Sequence, residues 1–294
     1  MENIKVKKAV IPAAGFGTRF LPATKAIPKE MLPIIDIPTI QYIVEECIDS
    51  GIEEILIIDN DSKLEIRKHF SIDERLETKL LSVNKIDEYN LVHDIATKVK
   101  ISYIQQNNPK GLGHAVSLAK EWVSGEPFVV LCGDDIMVNK NGLAITKQLI
   151  DAYELTNCSI LGVQEIAREN VHKYGVVTPV KIEERLIQIS DVVEKPKTED
   201  APSNYATLGR YVLSSRIFDF LETQTPGAGG EIQLTDSIRR MMDVENVYAY
   251  NFEGIRYDAG DKFGYVSAII DFALERDDLR ELVIEHLKKK LNCN

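Results

Sequence analysis

The sequence of 294 residues has few of the features that form disulfides, zinc sites or membrane spans. Its five histidines show no HxH or HExxH pattern, and no apolar run approaches the roughly 20 residues of a membrane-spanning helix. The start, Met-Glu-Asn-Ile-Lys, has no signal-peptide pattern. The cysteines are far apart, without a CxxC or Cys/His ligand spacing, at Cys47, Cys132, Cys158 and Cys293. These absences predict reduced thiols, a cytoplasmic location and no membrane partner.

Positive charge is also scarce. Lys and Arg number 35 against 46 Asp and Glu, which gives a net charge of −11. A general nucleic-acid binder needs a broad basic field, so this class of function is excluded. With 44% hydrophobic and 28% charged residues the chain has an ordinary globular composition. An anionic ligand would therefore need a local basic site.

The first half of the chain alternates between short apolar runs and amphipathic segments. Strands are predicted at 9–14, 54–58, 101–104 and 128–131, and helices at 39–50 and 114–122. This alternation predicts a parallel sheet with right-handed crossovers. The last strand leads into Asp134 and Asp135, at the sheet edge where open α/β folds bind ligands.

The second half has a different pattern. Strands predicted at 159–164, 175–180, 186–193 and 206–212 have little helix between them and indicate a mixed sheet. Helices are predicted at 214–221, 233–242, 262–276 and 278–291. The last of these has leucines on one face, which predicts either docking on the core or a contact between subunits. The charged segment 71–100 is interpreted as surface helix, with a lid or partner-contacting insertion as the alternative.

A glycine-rich loop follows the first strand. Gly15 and Gly17 allow the backbone to approach a ligand, so that successive N–H groups can contact phosphate oxygens. Arg19, Lys25 and Lys29 add three cations in a chain of negative net charge. This local reversal of charge predicts an anion site.

Two common phosphate-binding motifs do not fit this loop. The sequence contains no GxxxxGK[ST], so it has no Walker-type loop. Phe20 occupies the place of the third glycine in the dinucleotide fingerprint, which also needs a helix to begin at once. Such a helix is prevented by prolines at positions 22, 28, 33 and 38. An NAD-dependent oxidoreductase is therefore disfavoured.

The loop GxGTRxxPxTKxxPKxxLP resembles the signature of the sugar-nucleotide pyrophosphorylases, and its form TKAIPKEMLP is most similar to bacterial UTP–glucose-1-phosphate uridylyltransferases. Further matching motifs extend over nearly the whole chain: GLGHA at 111–115, GDD at 133–135, KYGV at 173–176, EKP at 194–196, LGRY at 208–211, GEIQLTD at 230–236 and YDAG at 257–260. The resemblance implies an α/β nucleotidyltransferase fold of GT-A-like type, with a Rossmann-like mixed central sheet and helices on both faces. It implies one catalytic domain over 1–294, with a nucleotide-binding part (1–157), a β-rich sugar-binding part (158–258) and a C-terminal helical region (259–294).

The resemblance also implies a reaction. The phosphate oxygen of glucose 1-phosphate would attack the α-phosphorus of UTP, giving UDP-glucose and pyrophosphate. Arg19 and Lys29 would hold the triphosphate, with backbone contacts from Gly15 and Gly17, and Lys195 would bind the sugar phosphate. The role of Lys25 stays open, because related thymidylyltransferases can lack this cation.

The remaining roles follow from the same resemblance. Asp134 and Asp258 would bind Mg²⁺, while Asp135 either joins them or shapes the loop. Uracil would be recognised by the backbone of Ala13 and Ala14, the side chain of Gln106, and Gly111, which would leave room for the ring; His114 is interpreted as a structural residue at a helix start. The hexose would lie against Gly175, Glu194 and Gly209.

One geometric condition follows from these roles. Neighbouring residues in a strand point to opposite faces, so Glu194 and Lys195 can both reach the sugar only at a strand end or a bulge. The rival functions are transfer from dTTP or to another sugar phosphate, and a non-catalytic sugar-nucleotide-binding regulator. The resemblance further implies a homodimer or homotetramer.

Overall fold

The computed structural model describes residues 5–291. The prediction of a reduced thiol at Cys293 lies outside this range. Three cysteines within it, Cys47, Cys132 and Cys158, form no disulfide. None of the helices in the described part of the chain has the length and apolar character needed to cross a membrane.

The strands are β1 (Lys8–Pro12), β2 (Pro33–Ile34), β3 (Ile37–Pro38), β4 (Glu54–Asp59), β5 (Lys100–Gln105), β6 (Phe128–Leu131), β7 (Asp135–Val138), β8 (Ser159–Glu165), β9 (Gly175–Glu183), β10 (Leu186–Glu194), β11 (Tyr205–Leu213), β12 (Val247–Asn251) and β13 (Ile255–Asp258). The α-helices are α1 (Thr39–Asp49), α2 (Leu64–His69), α3 (Glu74–Ser82), α4 (Ile86–Thr97), α5 (Leu112–Ser117), α6 (Lys120–Val123), α7 (Ile145–Thr156), α8 (Ile217–Leu221), α9 (Leu234–Met241), α10 (Lys262–Glu275) and α11 (Arg280–Leu291).

One large mixed sheet runs through the molecule in the order β5-β4-β1-β6-β11-β8-β12-β10-β9. The four strands of the first half are parallel, as the alternation of strand and helix predicts. From β6 onward the neighbours are antiparallel, except that β12 runs parallel to β8. The mixed second half is therefore confirmed, and both halves share one sheet.

Both faces of this sheet are covered by helices, as the resemblance implies. Side chains of β1 alternate between the two faces: Ala9 and Ile11 pack in one core, and Val10 in the other. The first core includes apolar residues of α1 and α7, and the second includes those of α5, α8 and α9. The carboxyl edge of the parallel strands is left free for the loops that follow them.

Several elements differ from the sequence prediction. The single helix predicted over 114–122 is two helices, α5 and α6, and Ser117 at the break donates its hydroxyl to the carbonyl of His114 (2.8 Å). Helices α2 and α7 and strands β2, β3, β7, β12 and β13 were not predicted. Strands β7 and β13 are only four residues long, and β13 (Ile-Arg-Tyr-Asp) has a single buried residue, so neither gives a clear periodic pattern.

The two surface features have simple structures. Segment 71–100 contains helices α3 and α4, whose side chains are mostly exposed, which agrees with the surface-helix interpretation. Helix α11 has no buried residue and packs on α10, so its leucine face does not dock into the core as one of the two interpretations predicts. Leu282 and Leu291 remain exposed on it.

Candidate active site

A cavity of about 270 Å³ lies at the carboxyl edge of the sheet, where β6, β10, β11 and β13 end or bend. It brings together predicted residues from distant parts of the chain: Arg19, Asp134, Gly175, Glu194, Lys195, Gly209 and Asp258. Two independent parts of the prediction, the metal carboxylates and the sugar-binding residues, therefore share one cavity.

The two predicted metal ligands face the same point. Asp258 ends β13 opposite Asp135, the first residue of β7. A Cβ built on Gly260 would lie 2.6 Å from Asp134 Oδ2 and 3.1 Å from Asp258 Oδ1, so both carboxylates converge on this glycine. The amide of Gly260 donates to Asp258 Oδ1 (3.0 Å), and that of Ala259 donates to the carbonyl of Asp134 (2.9 Å). These bonds hold the YDAG turn against the end of β6.

Lys29 lies directly against this carboxylate pair. Its Nζ donates to Asp134 Oδ2 at 2.5 Å. Burial alone would lower the pKa of Lys29, but Asp134 and Glu30 raise it well above its usual range. Burial likewise favours a higher pKa for Asp134, yet Lys29 beside it holds that pKa below its usual range. At neutral pH the site therefore holds a charged lysine and a charged carboxylate.

The glycine-rich loop has no continuous helix, as its prolines predict. After β1 the chain forms three short 3₁₀ turns, and α1 begins only at Thr39. Gly17 has φ +64°, which favours glycine, and a Cβ on Gly15 would meet nothing within 4 Å. Arg19 donates to the carbonyl of Gly260 (3.2 Å), whereas Lys25 is exposed and lines no cavity described here. The loop therefore leaves Gly15 open to a ligand.

The geometric condition on Glu194 and Lys195 is met. Strand β10 ends at Glu194, and Lys195 has φ +46°, so the chain turns out of the strand between the two residues. Both side chains line the cavity, with Lys195 Nζ 3.4 Å from Glu194 Oε1. Lys195 is 50% exposed, and its ammonium is accessible to a phosphate. Thr235 donates its hydroxyl to Glu194 Oε2 (2.7 Å).

The cavity glycines allow close approach within the protein as well. A Cβ on Gly175 would lie 2.7 Å from Thr207 Oγ1. Gly209 has φ +68°, and its Cβ would collide with the Asp135 carboxylate. Both positions therefore require glycine for their packing, in addition to any contact with a sugar.

The predicted base-binding residues Ala13, Ala14 and Gln106 follow β1 and β5, which lie on either side of β4 in the sheet. Ala13 and Ala14 are buried, and their carbonyls accept hydrogen bonds from the side chains of Lys63 and Asn60. Gln106 directly follows β5, is only 4% exposed, and places its Nε2 2.7 Å from His114 Nδ1. His114 lies in the first turn of α5, which agrees with its interpretation as a residue at a helix start, and its side chain contacts a predicted site residue.

Gly111 is required by packing of the backbone. It has φ +109°, and a Cβ there would lie 2.6 Å from the carbonyl of Ile232. The amide of Gly113 donates to the same carbonyl (2.8 Å). A side chain at position 111 would therefore collide with the backbone of Ile232 before it reached the space expected for a ring. Gly111 instead allows the GLGHA turn to pack on the GEIQLTD segment.

Arg256 is a functional candidate that the sequence prediction missed. Its guanidinium lies 2.5 Å from Asp135 Oδ1 and 3.4 Å from Asp258 Oδ2, and it stacks over the ring of Tyr174 (5.1 Å). Burial and the neighbouring Asp134 and Asp258 raise the pKa of Asp135 to about 7, against the opposing effect of Arg256. Asp135 therefore forms an ion pair with Arg256 inside the site, a contact that agrees with the interpretation of Asp135 as a residue that shapes the loop.

Two buried ion pairs beneath the site were also missed. Arg210 is fully buried, pairs with Glu46 on α1 (2.7 Å), and donates to the carbonyls of Asp135 (2.7 Å) and Gly209 (3.1 Å). Lys63 and Glu30 form a second pair (2.8 Å) under the glycine-rich loop. An Arg within the apolar run of β11 was the one available signal, because an unpaired charge would be too costly there.

The comparisons with known proteins agree with this arrangement. The family model described as "Nucleotidyl transferase" matches residues 8–273. The chain is 49% identical over 289 residues to a UTP–glucose-1-phosphate uridylyltransferase of Bacillus subtilis strain 168, covering 98% of both chains. It is also similar to a crystal structure of UDP-glucose pyrophosphorylase complexed with UDP-glucose (TM-score 0.86, 40% identity, 92% of this chain and 100% of that one). A UTP-bound UGPase from Acinetobacter baumannii matches with a TM-score of 0.87 at 37% identity, over 98% of this chain and 100% of that one. The chain therefore belongs to the nucleotidyl transferase family, within its group of bacterial UTP–glucose-1-phosphate uridylyltransferases.

Proposed function

We propose that this protein transfers a uridylyl group from UTP to α-D-glucose 1-phosphate, forming UDP-glucose and releasing pyrophosphate. The observation that carries the proposal is the single cavity in which Asp134, Asp258 and Arg19 face Lys195 and Glu194. The family and the names of its similar members give the substrates. The cavity supplies a place where two anionic substrates can meet.

The chemistry requires no activated side chain. The attacking phosphate oxygen of the sugar is already anionic; it bonds to the α-phosphorus of UTP as the bond from that phosphorus to the bridging oxygen of pyrophosphate breaks. The difficulty is to bring two polyanions together and to stabilise the charge on the leaving group. Positioned cations supply both effects.

Three cations, Arg19, Lys29 and Lys195, would bind the phosphates of the two substrates. Arg19 and Lys29, together with the backbone of Gly15 and Gly17, would bind the triphosphate and neutralise the departing pyrophosphate. Their support is the open surface at Gly15 and the charged state of Lys29. Lys195, half exposed across the cavity, would bind the phosphate of the sugar. The two phosphates are then held from opposite sides.

A Mg²⁺ ion fits the carboxylate pair. Asp134 and Asp258 present hard oxygens converging on Gly260, and Mg²⁺ is bound through one or two carboxylates together with substrate phosphates and water. Phosphate oxygens of the substrates and water would complete the coordination. The bound ion would supply charge neutralisation at the phosphates.

Separate groups of residues would bind the two ends of the product, the uracil and the hexose. Uracil would contact Ala13, Ala14, Gln106 and Gly111 near the ends of β1 and β5. The hexose would lie against Gly175, Glu194 and Gly209, and the hydrogen bond from Thr235 supports a fixed orientation of the Glu194 carboxylate.

The whole chain would act as one catalytic domain, with the nucleotide part at 1–157, the sugar part at 158–258 and the helical region at 259–294. The continuous sheet from β5 to β9 supports this division into parts of one unit. Assembly as a homodimer or homotetramer is supported by the exposed leucines of α11. Action in the cytoplasm is supported by the free thiols.

The direct test measures pyrophosphate release for each pair of UTP, dTTP, ATP, GTP or CTP with glucose, galactose, mannose or N-acetylglucosamine 1-phosphate, with Mg²⁺ and with EDTA. We expect release chiefly from UTP with glucose 1-phosphate, and only with Mg²⁺. A preference for dTTP or for another sugar would contradict the proposed substrates. Binding of UDP-glucose without release from any pair would favour a non-catalytic regulator.

A further inference from the structure

The side chain of Gln106 is held by a second residue. Its Nε2 lies 2.7 Å from His114 Nδ1, across the turn that Gly111 makes between β5 and α5. Since both atoms are nitrogens, one must donate and the other accept. In this orientation the amide nitrogen of Gln106, which carries two hydrogens and cannot accept, donates to His114 Nδ1.

This bond requires the neutral tautomer of His114 with its proton on Nε2. Burial and the nearby charge of Lys110 lower the pKa of His114 below its usual range, which keeps the ring neutral at pH 7. With one Nε2 hydrogen used, Gln106 has a second hydrogen and its Oε1 remaining. Among the described residues no group is recorded within hydrogen-bond distance of that oxygen.

The remaining groups of Gln106 match one kind of base. Uracil presents an N3–H donor beside carbonyl acceptors, so Oε1 can accept from N3–H while the second Nε2 hydrogen donates to a carbonyl. Cytosine presents an acceptor at N3 and a donor at its amino group, which needs the opposite amide orientation. A free glutamine can rotate to suit either base.

We propose that His114 is a positioning residue that fixes the amide of Gln106 in the orientation that accepts uracil and rejects cytosine. The inference rests on the proposed function, in which Gln106 contacts the base. While His114 carries its proton on Nε2, rotation of the amide to suit cytosine would place Oε1 against the lone pair of Nδ1, with loss of the hydrogen bond and repulsion between two acceptors; relief would require the ring proton to move to Nδ1. Thymine has the same edge as uracil, so His114 should not distinguish UTP from dTTP.

The test compares kcat/KM for UTP, dTTP and CTP with glucose 1-phosphate in the wild type, His114→Leu and His114→Asn. Leucine removes the acceptor, whereas the short side chain of asparagine can present an oxygen near the place of Nδ1. We expect His114→Leu to reduce the preference for UTP over CTP about tenfold, corresponding to about 1.4 kcal/mol, with the UTP/dTTP ratio unchanged. His114→Asn should keep most of the preference for UTP over CTP.

Equal loss for all three nucleotides in folded His114→Leu would overturn the inference, because a merely structural role lowers them together. If that variant does not fold, ¹⁵N NMR of the wild-type imidazole is the second measurement. An unprotonated Nδ1 at pH 7 supports the proposal that His114 fixes the amide of Gln106, and a protonated Nδ1 overturns it. Failure of the proposed function is separate, since it appears as a wild type that releases no pyrophosphate from UTP and glucose 1-phosphate.

Discussion

The buried ion pair between Arg210 and Glu46 should be a major determinant of stability and of the site above it. Arg210 is fully buried and gives hydrogen bonds to both oxygens of Glu46 and to the carbonyls of Asp135 and Gly209. Arg210→Met introduces an unbranched apolar side chain of similar length and leaves Glu46 buried without a counter-charge. Removing one partner of a buried pair costs about 3–5 kcal/mol. This loss is a large share of the 5–15 kcal/mol typical of a folded domain.

The double variant Arg210→Met/Glu46→Leu isolates the pairing from the packing. It removes both charges, although the amide and the hydroxyl of Thr146 then lose their acceptor, Glu46 Oε1. We therefore expect the double variant to be less stable than the wild type, but by less than the sum of the two single losses, with a coupling of about 3 kcal/mol.

The assay is equilibrium unfolding in urea followed by circular dichroism, with the free energy of unfolding extrapolated to water. Lys85→Met is the matched control, because Lys85 and Glu88 pair at a similar distance (2.8 Å) on the exposed surface, where such pairs contribute little. A loss in Arg210→Met no larger than in Lys85→Met would refute the reasoning, as would strictly additive losses in the double variant.

Two further substitutions test the cavity. Thr235→Val removes the donor to Glu194 Oε2 and should raise the KM for glucose 1-phosphate about tenfold without changing the KM for UTP. Thr235→Ser keeps the hydroxyl and is the control. Steady-state kinetics measure both constants, and an unchanged KM for glucose 1-phosphate in Thr235→Val would contradict the prediction. Gly209→Ala adds strain at φ +68° and a collision with Asp135, so it should lose well over 1 kcal/mol of stability and most of the turnover. Gly51→Ala is its control, because Gly51 also has a positive φ (+82°) but a Cβ there would meet no atom within 4 Å. Thermal unfolding measures both variants, and equal losses of stability would show that the collision with Asp135 contributes nothing.

The local patterns of the sequence were sufficient for much of the fold and for the glycine-rich loop. The prolines after Gly17 correctly excluded a continuous helix in the loop, and the strand predicted before Asp134 is β6, which ends at the edge of the sheet where the cavity lies. The metal and sugar residues were identified by resemblance, and the structure brings them into one cavity. Their roles remain proposals.

The missed features depend on contacts between distant parts of the chain. Arg210 and Glu46 are 164 positions apart, and neither lies in a pattern that marks the other as its partner. His114 and Gln106 are close in sequence, but their contact depends on the turn at Gly111, with φ +109°, which residue patterns do not specify. Strand β13 has little apolar signal because it has four residues, two of them charged. Sequence periodicity reports burial and local geometry, and these contacts follow from topology.

The central claim is direct attack of glucose 1-phosphate on UTP, without a covalent uridylyl-enzyme. The measurement that tests it most directly starts from one diastereomer of α-thio-UTP with glucose 1-phosphate and determines the configuration at the α-phosphorus of the sugar-nucleotide product. A single in-line displacement inverts this configuration, and inversion is the result we predict. Retention would require two displacements through an enzyme nucleophile and would contradict the account.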